Sequence, residues 1–289
     1  MDSRAVKRIV TGVRTTDGAG VRLVRVIGHD DVADFDPFLM LDAFDSTDPN
    51  DYVKGFPWHP HRGIETVTYL IQGAIEHGDS LGNKGMIRDG CCQWMTAGSG
   101  IIHQEMPQAS PRMLGLQLWL NLPTKNKMAP PQYRDLTPNR IPKVRQEGAA
   151  VAVVAGQYEE ATGATQGDYV PATLLDVQLD AGRRWALPTK EEDKVFLYAV
   201  EGSGAVGLSE TVVSRRQAAL LGAGDLLEVT AGADGMRFIL FAGTPLGEPV
   251  AWGGPIVMNT MDELRLAFDE LKQGTFLKHT TASPARQSH

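Results

Sequence analysis

The chain has 289 residues, 42% hydrophobic and 22% charged, a composition typical of a globular protein with two domains or one large β architecture. Its formal net charge of -7 argues against direct binding to nucleic acid, because no basic excess offsets the phosphates. We also expect no membrane insertion and no export, since residues 1–14 lack the apolar segment of a secretory signal. The only cysteines, Cys91 and Cys92, are adjacent, which excludes a disulfide scaffold and favours a reducing, cytoplasmic location.

Short apolar or alternating runs separated by glycines dominate residues 21–241 and predict an all-β chain. The clearest strand covers residues 114–122, where leucine at every even position predicts a face in the core. The other face, which includes Gln117 and Trp119, is predicted to meet either solvent or a pocket. In chain order, the predicted strands are residues 22–27, 65–71, 114–122, 174–179, 194–200 and 237–241.

Residues 123–142 differ in composition and predict an extended, proline-rich linker between two lobes. We therefore expect a first domain over residues 1–130 and a second over residues 131–289. The linker also contains a mildly basic stretch, which is either a docking surface or, as we prefer, simply solvated. Its basic residues are Lys125, Lys127, Arg134 and Arg140.

The second half weakly repeats the first. In each half a strand ends at a glycine, Gly73 or Gly202, and an acidic-glycine turn follows, which predicts two copies of one small β-barrel. A short helix is predicted at residues 260–272, where Thr260 and Glu263 have the spacing of a capping box. Residues after Lys278 are predicted to form a flexible tail. The apolar stripe of the helix consists of Met261, Leu264, Phe268 and Leu271.

Two pairs of candidate metal ligands, His59 with His61 and His103 with Glu105, each have the spacing i, i+2. Residues two apart on a strand point to the same face, so each pair can present two donors in one direction. Three imidazoles and one carboxylate suit Fe, Mn, Co, Ni, Cu or Zn better than Ca or Mg, and leave positions open on an octahedral metal. The alternative is that these are loop histidines with ordinary hydrogen bonds. Because no histidine lies between residues 104 and 278, any imidazole site belongs to the first half.

Residues 56–69 (FPWHPHRGIETVTY) and 93–107 (QWMTAGSGIIHQEMP) resemble the signature segments of pirins, which are members of the cupin superfamily. The resemblance extends over residues 22–278. It implies a bicupin, two stacked antiparallel β-barrels or jelly-roll sandwiches, with one mononuclear metal in the first barrel only. The metal implied is Fe(II), although Zn, Ni, Mn, Co or Cu can occupy such a site. Its ligands would be His59, His61, His103 and Glu105.

The resemblance also affects the choice of carboxylate. Ordinary cupins take a glutamate shortly after the histidine pair, here Glu65, whereas pirins take it from the second motif, here Glu105. The alternation of side chains along a strand does not decide between the two glutamates. Glu65 lies an even number of residues after His61 and so points to the same face, unless Gly63 inserts a bulge. Following the pirins, we expect Glu105 to be the ligand and Glu65 to accept a buried hydrogen bond that orients a ligand imidazole.

Pirins with such a site resemble quercetinases, oxidoreductases that open the central ring of a flavonol with O₂ and release carbon monoxide. The resemblance thus implies a flavonol-like substrate whose hydroxyl proton passes to Glu105 or a neighbour. Several residues near the ligands in sequence are candidates for the cavity wall, although for the tryptophan and the methionines we prefer a place in the barrel core. These candidates are Trp94, Met95, Met106 and Gln117.

An alternative function is that of a non-catalytic regulator. Some pirins resemble redox-dependent proteins that bind a transcription factor or a metabolic enzyme through a surface near the metal. Oxidation of the iron changes the local charge by one unit and thereby the fit to the partner. A third possibility is a cupin that binds a small ligand without turnover.

Overall fold

The computed structural model describes residues 1–279, and strands account for most of its regular structure, which confirms the all-β class. The flexible tail predicted after Lys278 lies, from residue 280 onward, outside the described residues. Across residues 1–279, every helix is too short or too polar to cross a bilayer. Two α-helices are present in this range, α1 (Val32–Phe35) and α2 (Met261–Gln273), together with single 3₁₀ turns at His29–Asp31, Pro49–Asp51 and Thr124–Asn126.

The first half of the chain provides the following strands: β1 (Val6–Thr11), β2 (Val13–Asp17), β3 (Val21–Ile27), β4 (Phe38–Ser46), β5 (Phe56–His61), β6 (Ile64–Gln72), β7 (Ala74–Asp79), β8 (Lys84–Arg88), β9 (Cys92–Thr96), β10 (Ile101–Gln108), β11 (Met113–Asn121) and β12 (Gln132–Leu136). Seven of them form a sheet of order β12-β9-β6-β11-β4-β3-β2, and four form a sheet of order β5-β10-β7-β8. The two sheets face each other and form the first barrel, since the Thr68 hydroxyl on β6 lies within hydrogen-bond distance of the Glu105 carboxylate on β10.

The remaining strands follow residue 142: β13 (Lys143–Gln146), β14 (Ala149–Ala155), β15 (Gln157–Tyr158), β16 (Ala161–Thr162), β17 (Ala172–Leu179), β18 (Arg184–Pro188), β19 (Lys194–Val206), β20 (Thr211–Ser214), β21 (Gln217–Leu221), β22 (Leu226–Gly243), β23 (Ala251–Gly253) and β24 (Ile256–Met258). A nine-stranded sheet runs β1-β21-β19-β22-β17-β14-β13, with β18 and β20 paired to β22 and β19. The long strands β19 and β22 each pair with three strands of this sheet, which forms the second barrel.

The two halves exchange segments at both ends. Strand β1 pairs with β21 in the nine-stranded sheet, although it precedes the first barrel in sequence. Near the other terminus, Ile256 on β24 forms a parallel bridge with Arg62 in the first half. The domain boundary at residue 130 stays a prediction, and the sheets themselves are not divided at one point along the chain.

An apolar layer joins the two barrels. As predicted, the even positions of β11 are buried leucines, and they belong to a cluster that continues into the second half. Phe38 contributes to the same layer and packs edge-to-face on Phe196, with ring centroids 5.1 Å apart. The opposite face of β11, with Gln117 and Trp119, lines a cavity in the first barrel.

The linker prediction was wrong in two respects. Strand β12 pairs with β9 at the edge of the seven-stranded sheet, so part of residues 123–142 belongs to the first barrel. Lys127 is only 3% exposed and not solvated as expected. Its side chain enters the protein because three oxygen acceptors converge on its ammonium group, an arrangement that sequence patterning does not reveal.

The predicted helix is present as α2. Thr260 caps it and Glu263 completes the capping box, as the spacing predicted. Met261 does not join the apolar stripe, because it lies in the first turn and is 55% exposed. Leu264 and Ala267 are the buried residues of the helix, and they pack with Phe276 in a small separate core.

Candidate metal centre

The candidate ligands lie on two neighbouring strands. Strand β10 pairs antiparallel with β5, so His103 lies directly opposite His59, and Ile101 lies opposite His61. Burial alternates along β10, with His103 and Glu105 turned inward. Each i, i+2 pair therefore presents two donors to one face, as the strand period requires.

The three imidazoles form one cluster. The ring centroid of His103 lies 4.4 Å from that of His59 and 5.0 Å from that of His61. One potential ligand atom from each ring lies within 4.8 Å of the other two. Within residues 1–279, no other histidine, cysteine or carboxylate group forms so compact a potential metal site.

Backbone carbonyls fix the tautomers of two of these histidines. Nδ1 of His59 lies 2.8 Å from the Pro57 carbonyl oxygen, and Nδ1 of His61 lies 3.1 Å from the Pro255 carbonyl oxygen. Because a carbonyl only accepts, each Nδ1 carries a proton, and in the neutral ring Nε2 then presents its lone pair. These two Nε2 atoms are 3.0 Å apart, and two neutral rings in these tautomers have no proton to share between them.

This arrangement fits a metal ion. Two nitrogens that each lie about 2.1 Å from one metal, at a right angle, are about 3 Å apart. His103 is fully buried, and neither of its ring nitrogens has a hydrogen-bond partner among the described residues. A buried donor set without partners is costly unless a ligand satisfies it.

Burial also favours the metal-binding form of these rings. Desolvation, and then the neighbouring His59, lowers the pKa of His61 to about 3. Desolvation, followed by the nearby His61, lowers the pKa of His103 well below its usual value. Both imidazoles are therefore neutral near pH 7, as a ligand must be.

Glu105 follows His103 by two residues on β10 and is 5% exposed. The Thr68 hydroxyl lies 2.8 Å from Oε1 of Glu105, and the Gln117 amide donates to Oε2 at 3.3 Å. The Thr68 hydroxyl also lies 2.6 Å from Gln117 Oε1 and has one proton to donate to either acceptor. Glu105 is oriented by neighbouring side chains and lines the same cavity as the histidines, and its role as fourth ligand stays a prediction.

Glu65 is a buried hydrogen-bond acceptor, as expected, but its donors are not ligand imidazoles. Its carboxylate accepts hydrogen bonds from Thr96 Oγ1 at 2.6 Å and from Trp94 Nε1 at 3.1 Å. Burial raises its pKa. The physical reason is the neighbouring strand β9, which offers two side-chain donors, whereas the ring N–H of His61 finds the carbonyl of Pro255.

A cavity of about 740 Å³ opens onto His59, His61 and Glu105. In its wall, Arg25 makes two hydrogen bonds to Asp42, of 2.9 and 2.8 Å. The rest of the wall is mainly aromatic or apolar, and most of these side chains were not predicted. They are Met40, Phe44, Phe56, Trp58, Trp119 and Trp252.

Of the four predicted wall residues, only Gln117 lines this cavity. Trp94 and Met95 are fully buried in the core, in agreement with our preferred interpretation, and Met106 is half-buried outside the lining. Trp252 and Pro255 were missed because they come from the second half, far from the ligand motifs in sequence. The alternation along β11 pointed to Trp119, but it did not distinguish a pocket from solvent.

The chain resembles known proteins over nearly its whole length. The family described as Pirin matches residues 20–120, and the Pirin C-terminal cupin domain matches residues 174–277. A pirin-like protein of Caulobacter vibrioides is 45% identical over 279 residues, which cover 96% of this chain and 100% of the relative.

Two solved structures extend the comparison. Quercetin 2,3-dioxygenase from Acinetobacter baumannii superposes with a TM-score of 0.86 at 30% identity, covering 96% of this chain and 99% of that one. A bacterial pirin from Escherichia coli, in complex with nickel(II), has a TM-score of 0.65 at 20% identity, covering 82% and 99% of the two chains. The second similarity shows a shared fold.

Proposed function

Because this chain belongs to the pirin family, we propose that it is a metal-dependent dioxygenase that opens the central ring of a flavonol with O₂. The similarity to a quercetin 2,3-dioxygenase from Acinetobacter baumannii supports this reaction class. One divalent metal, iron(II), would be held by His59, His61, His103 and Glu105. The nickel(II) in the Escherichia coli pirin supports a permissive donor set of this kind.

The observation that carries this proposal is the cavity that ends at the histidine cluster. Its volume of about 740 Å³ falls in the range of small-molecule sites, and its aromatic wall suits a planar polyphenol. Trp119 and Trp252 lie with their ring centroids 5.8 Å apart at the wall, where they can contact the substrate rings and exclude water. A metal with only a structural role would need no such opening.

When bound, the metal supplies open coordination positions for O₂ and substrate and lowers the pKa of the flavonol hydroxyl. The hydroxyl proton passes to a carboxylate oxygen of Glu105, which Thr68 and Gln117 hold in place by hydrogen bonds. One ring carbon of the flavonol leaves as carbon monoxide, and the remainder becomes an ester that carries a carboxylic acid. Both atoms of O₂ enter these products.

The test is anaerobic reconstitution with iron(II), followed by mixing with quercetin in air-saturated buffer. Flavonol absorbance and carbon monoxide are recorded together, with metal-free protein as the control. We expect many turnovers, with one carbon monoxide released for each flavonol consumed. Tight iron binding without turnover would contradict the proposal and favour the regulatory alternative, which predicts different partner binding by iron(II) and iron(III) protein.

A further inference from the structure

The candidate metal centre lies in the first barrel, yet part of its wall comes from the end of the chain. Residues 251–276, here called the C-terminal segment, include β23, β24 and α2. Trp252, Gly254 and Pro255 of this segment line the cavity. The Pro255 carbonyl oxygen lies 3.1 Å from Nδ1 of His61 and thus orients a candidate ligand.

Lys127 fastens this segment to the first barrel. Its ammonium group donates to the carbonyl oxygens of Gly63 at 2.8 Å and Val257 at 2.9 Å, and also to the side chain of Asn121. All three ammonium protons thus have acceptors, one of which belongs to the C-terminal segment. Gly63 lies two residues after His61, and Val257 lies two residues after Pro255. The attachment is therefore next to the hydrogen bond between the Pro255 carbonyl and His61.

Burying this cation is expensive. Within residues 1–279, no carboxylate forms a hydrogen bond with Lys127, and desolvation by burial lowers its pKa to about 7. An apolar side chain would fill the same space without that cost. Unlike an apolar side chain, the ammonium group forms directional hydrogen bonds. These bonds hold three oxygens from three separate segments around one point.

The backbone at Gly63 is shaped for this close approach. A Cβ atom at residue 63 would lie 1.9 Å from the Val257 carbonyl oxygen, which no side chain tolerates. Gly63 also has φ of +77°, a conformation that favours glycine. The turn directly after the histidine pair therefore has both the space and the backbone angle that the C-terminal segment requires.

A second buried cation holds the far end of the segment. Arg62 Nη2 lies 2.8 Å from the Phe276 carbonyl oxygen and 2.7 Å from the Glu270 carboxylate. Its guanidinium also lies over the Phe276 ring, 4.2 Å from the centroid. The C-terminal segment is thus attached to the first barrel at Val257 and again at Glu270 and Phe276, and the first of these attachments lies two residues after Pro255.

We infer that the C-terminal segment completes the metal centre, and that Lys127 is a positioning residue that holds the Pro255 carbonyl against His61. This inference rests on the proposed histidine ligand set and does not depend on flavonol turnover. A residue that positions a ligand from outside typically changes metal affinity by about 10–100-fold when it is replaced.

The first test compares Lys127→Met with Lys125→Met, a matched control two residues earlier whose side chain is exposed. Cobalt(II) binding is measured by titration calorimetry well below the unfolding temperature of each variant. We expect the dissociation constant to rise about tenfold or more in Lys127→Met and to stay unchanged in Lys125→Met. An unchanged constant in Lys127→Met, or wild-type protein that binds no cobalt, would overturn the inference.

The second test needs no variant, so it holds even if Lys127→Met fails to fold. Amide hydrogen exchange of Ile256, Val257 and Met258 is measured in the wild-type protein with and without saturating cobalt(II). Coupling between two sites is reciprocal, so if opening of the segment weakens metal binding about tenfold, metal must slow this exchange about tenfold. Equal exchange rates in the two samples would show that the segment only covers the site.

Discussion

The two barrels differ most in their interiors. In the second barrel, apolar side chains such as Leu197, Phe238 and Leu240 fill the space between strands. The first barrel instead contains three clustered histidines and Glu105, and a cavity reaches His59, His61 and Glu105. Buried side-chain atoms without hydrogen-bond partners also occur there, for example on Thr66 and His77.

This difference shows how much folding stability a buried polar site removes from a β-barrel. Apolar packing contributes about 25 cal/mol per Å² of buried surface, whereas an unsatisfied buried polar group costs about 1–3 kcal/mol. The first barrel keeps such groups, and the second barrel and the shared apolar layer provide packing that offsets them. We therefore expect substitutions in the two interiors to affect different properties.

The largest effect is expected for His103→Ala in the first barrel. Removing a fully buried imidazole takes away one of three clustered donors, so metal binding and flavonol turnover should both be lost. Metal content by mass spectrometry and carbon monoxide release measure this. Gln104→Ala, the adjacent residue on the outward face of β10, is the control and should retain both. Turnover by metal-free His103→Ala protein would contradict the site assignment.

The converse is expected for Phe238→Ala in the second barrel. Phe238 is fully buried, so its truncation should lower the free energy of unfolding by about 3–5 kcal/mol. Denaturant titration measures that loss. Below the transition, the dissociation constant for metal should match that of the wild type. A weaker metal affinity in the folded variant would show that the two interiors are coupled more tightly than the packing indicates.

A smaller effect is expected for Gln117→Leu, which keeps the volume but removes the donor to Glu105. We expect kcat/KM to fall about 10–100-fold, because the carboxylate loses part of its orientation. The free energy of unfolding should change little. Gln132→Leu, an exposed position on β12, is the control for the substitution itself. Unchanged kinetics would mean that Thr68 alone suffices to hold Glu105.

The smallest expected effect is the pH dependence of the free energy of unfolding that arises from Lys127, which joins the two halves. The pKa of Lys127 is about 7 in the folded protein, against 10.5 for an ordinary lysine. Between these values the unfolded chain binds more protons, so the free energy of unfolding should rise with pH. Relative to Lys127→Met, we expect the wild type to gain about 2 kcal/mol from pH 7 to pH 9, measured by denaturant titration. A difference that stays constant with pH would contradict this.

Local pattern predicted much of the fold and of the candidate site. The leucine alternation in residues 114–122 correctly gave the buried face of β11, and Thr260 with Glu263 gave the start of α2. The i, i+2 spacing of the histidines gave a shared face. These predictions succeeded because strand period and capping depend on neighbours in sequence, which determine backbone geometry and side-chain direction.

Longer-range features were missed. Lys127 was interpreted as solvated, and Glu65 was expected to orient an imidazole. Both errors concern hydrogen-bond partners that lie on other strands, such as the Val257 carbonyl for Lys127 and Trp94 for Glu65. A lysine in a proline-rich stretch carries no local signal that three oxygens will converge on it.

The sequence by itself thus determined the β class and the pairs of candidate ligands, because both follow from periodicity and residue chemistry. Only the tertiary structure decided that Trp252 and Pro255 reach the first barrel and that the site opens into an apolar cavity. The physical reason is that these contacts join segments almost 200 residues apart, between His61 and Pro255. Such pairs are selected by the packing of whole barrels, and no local propensity encodes them.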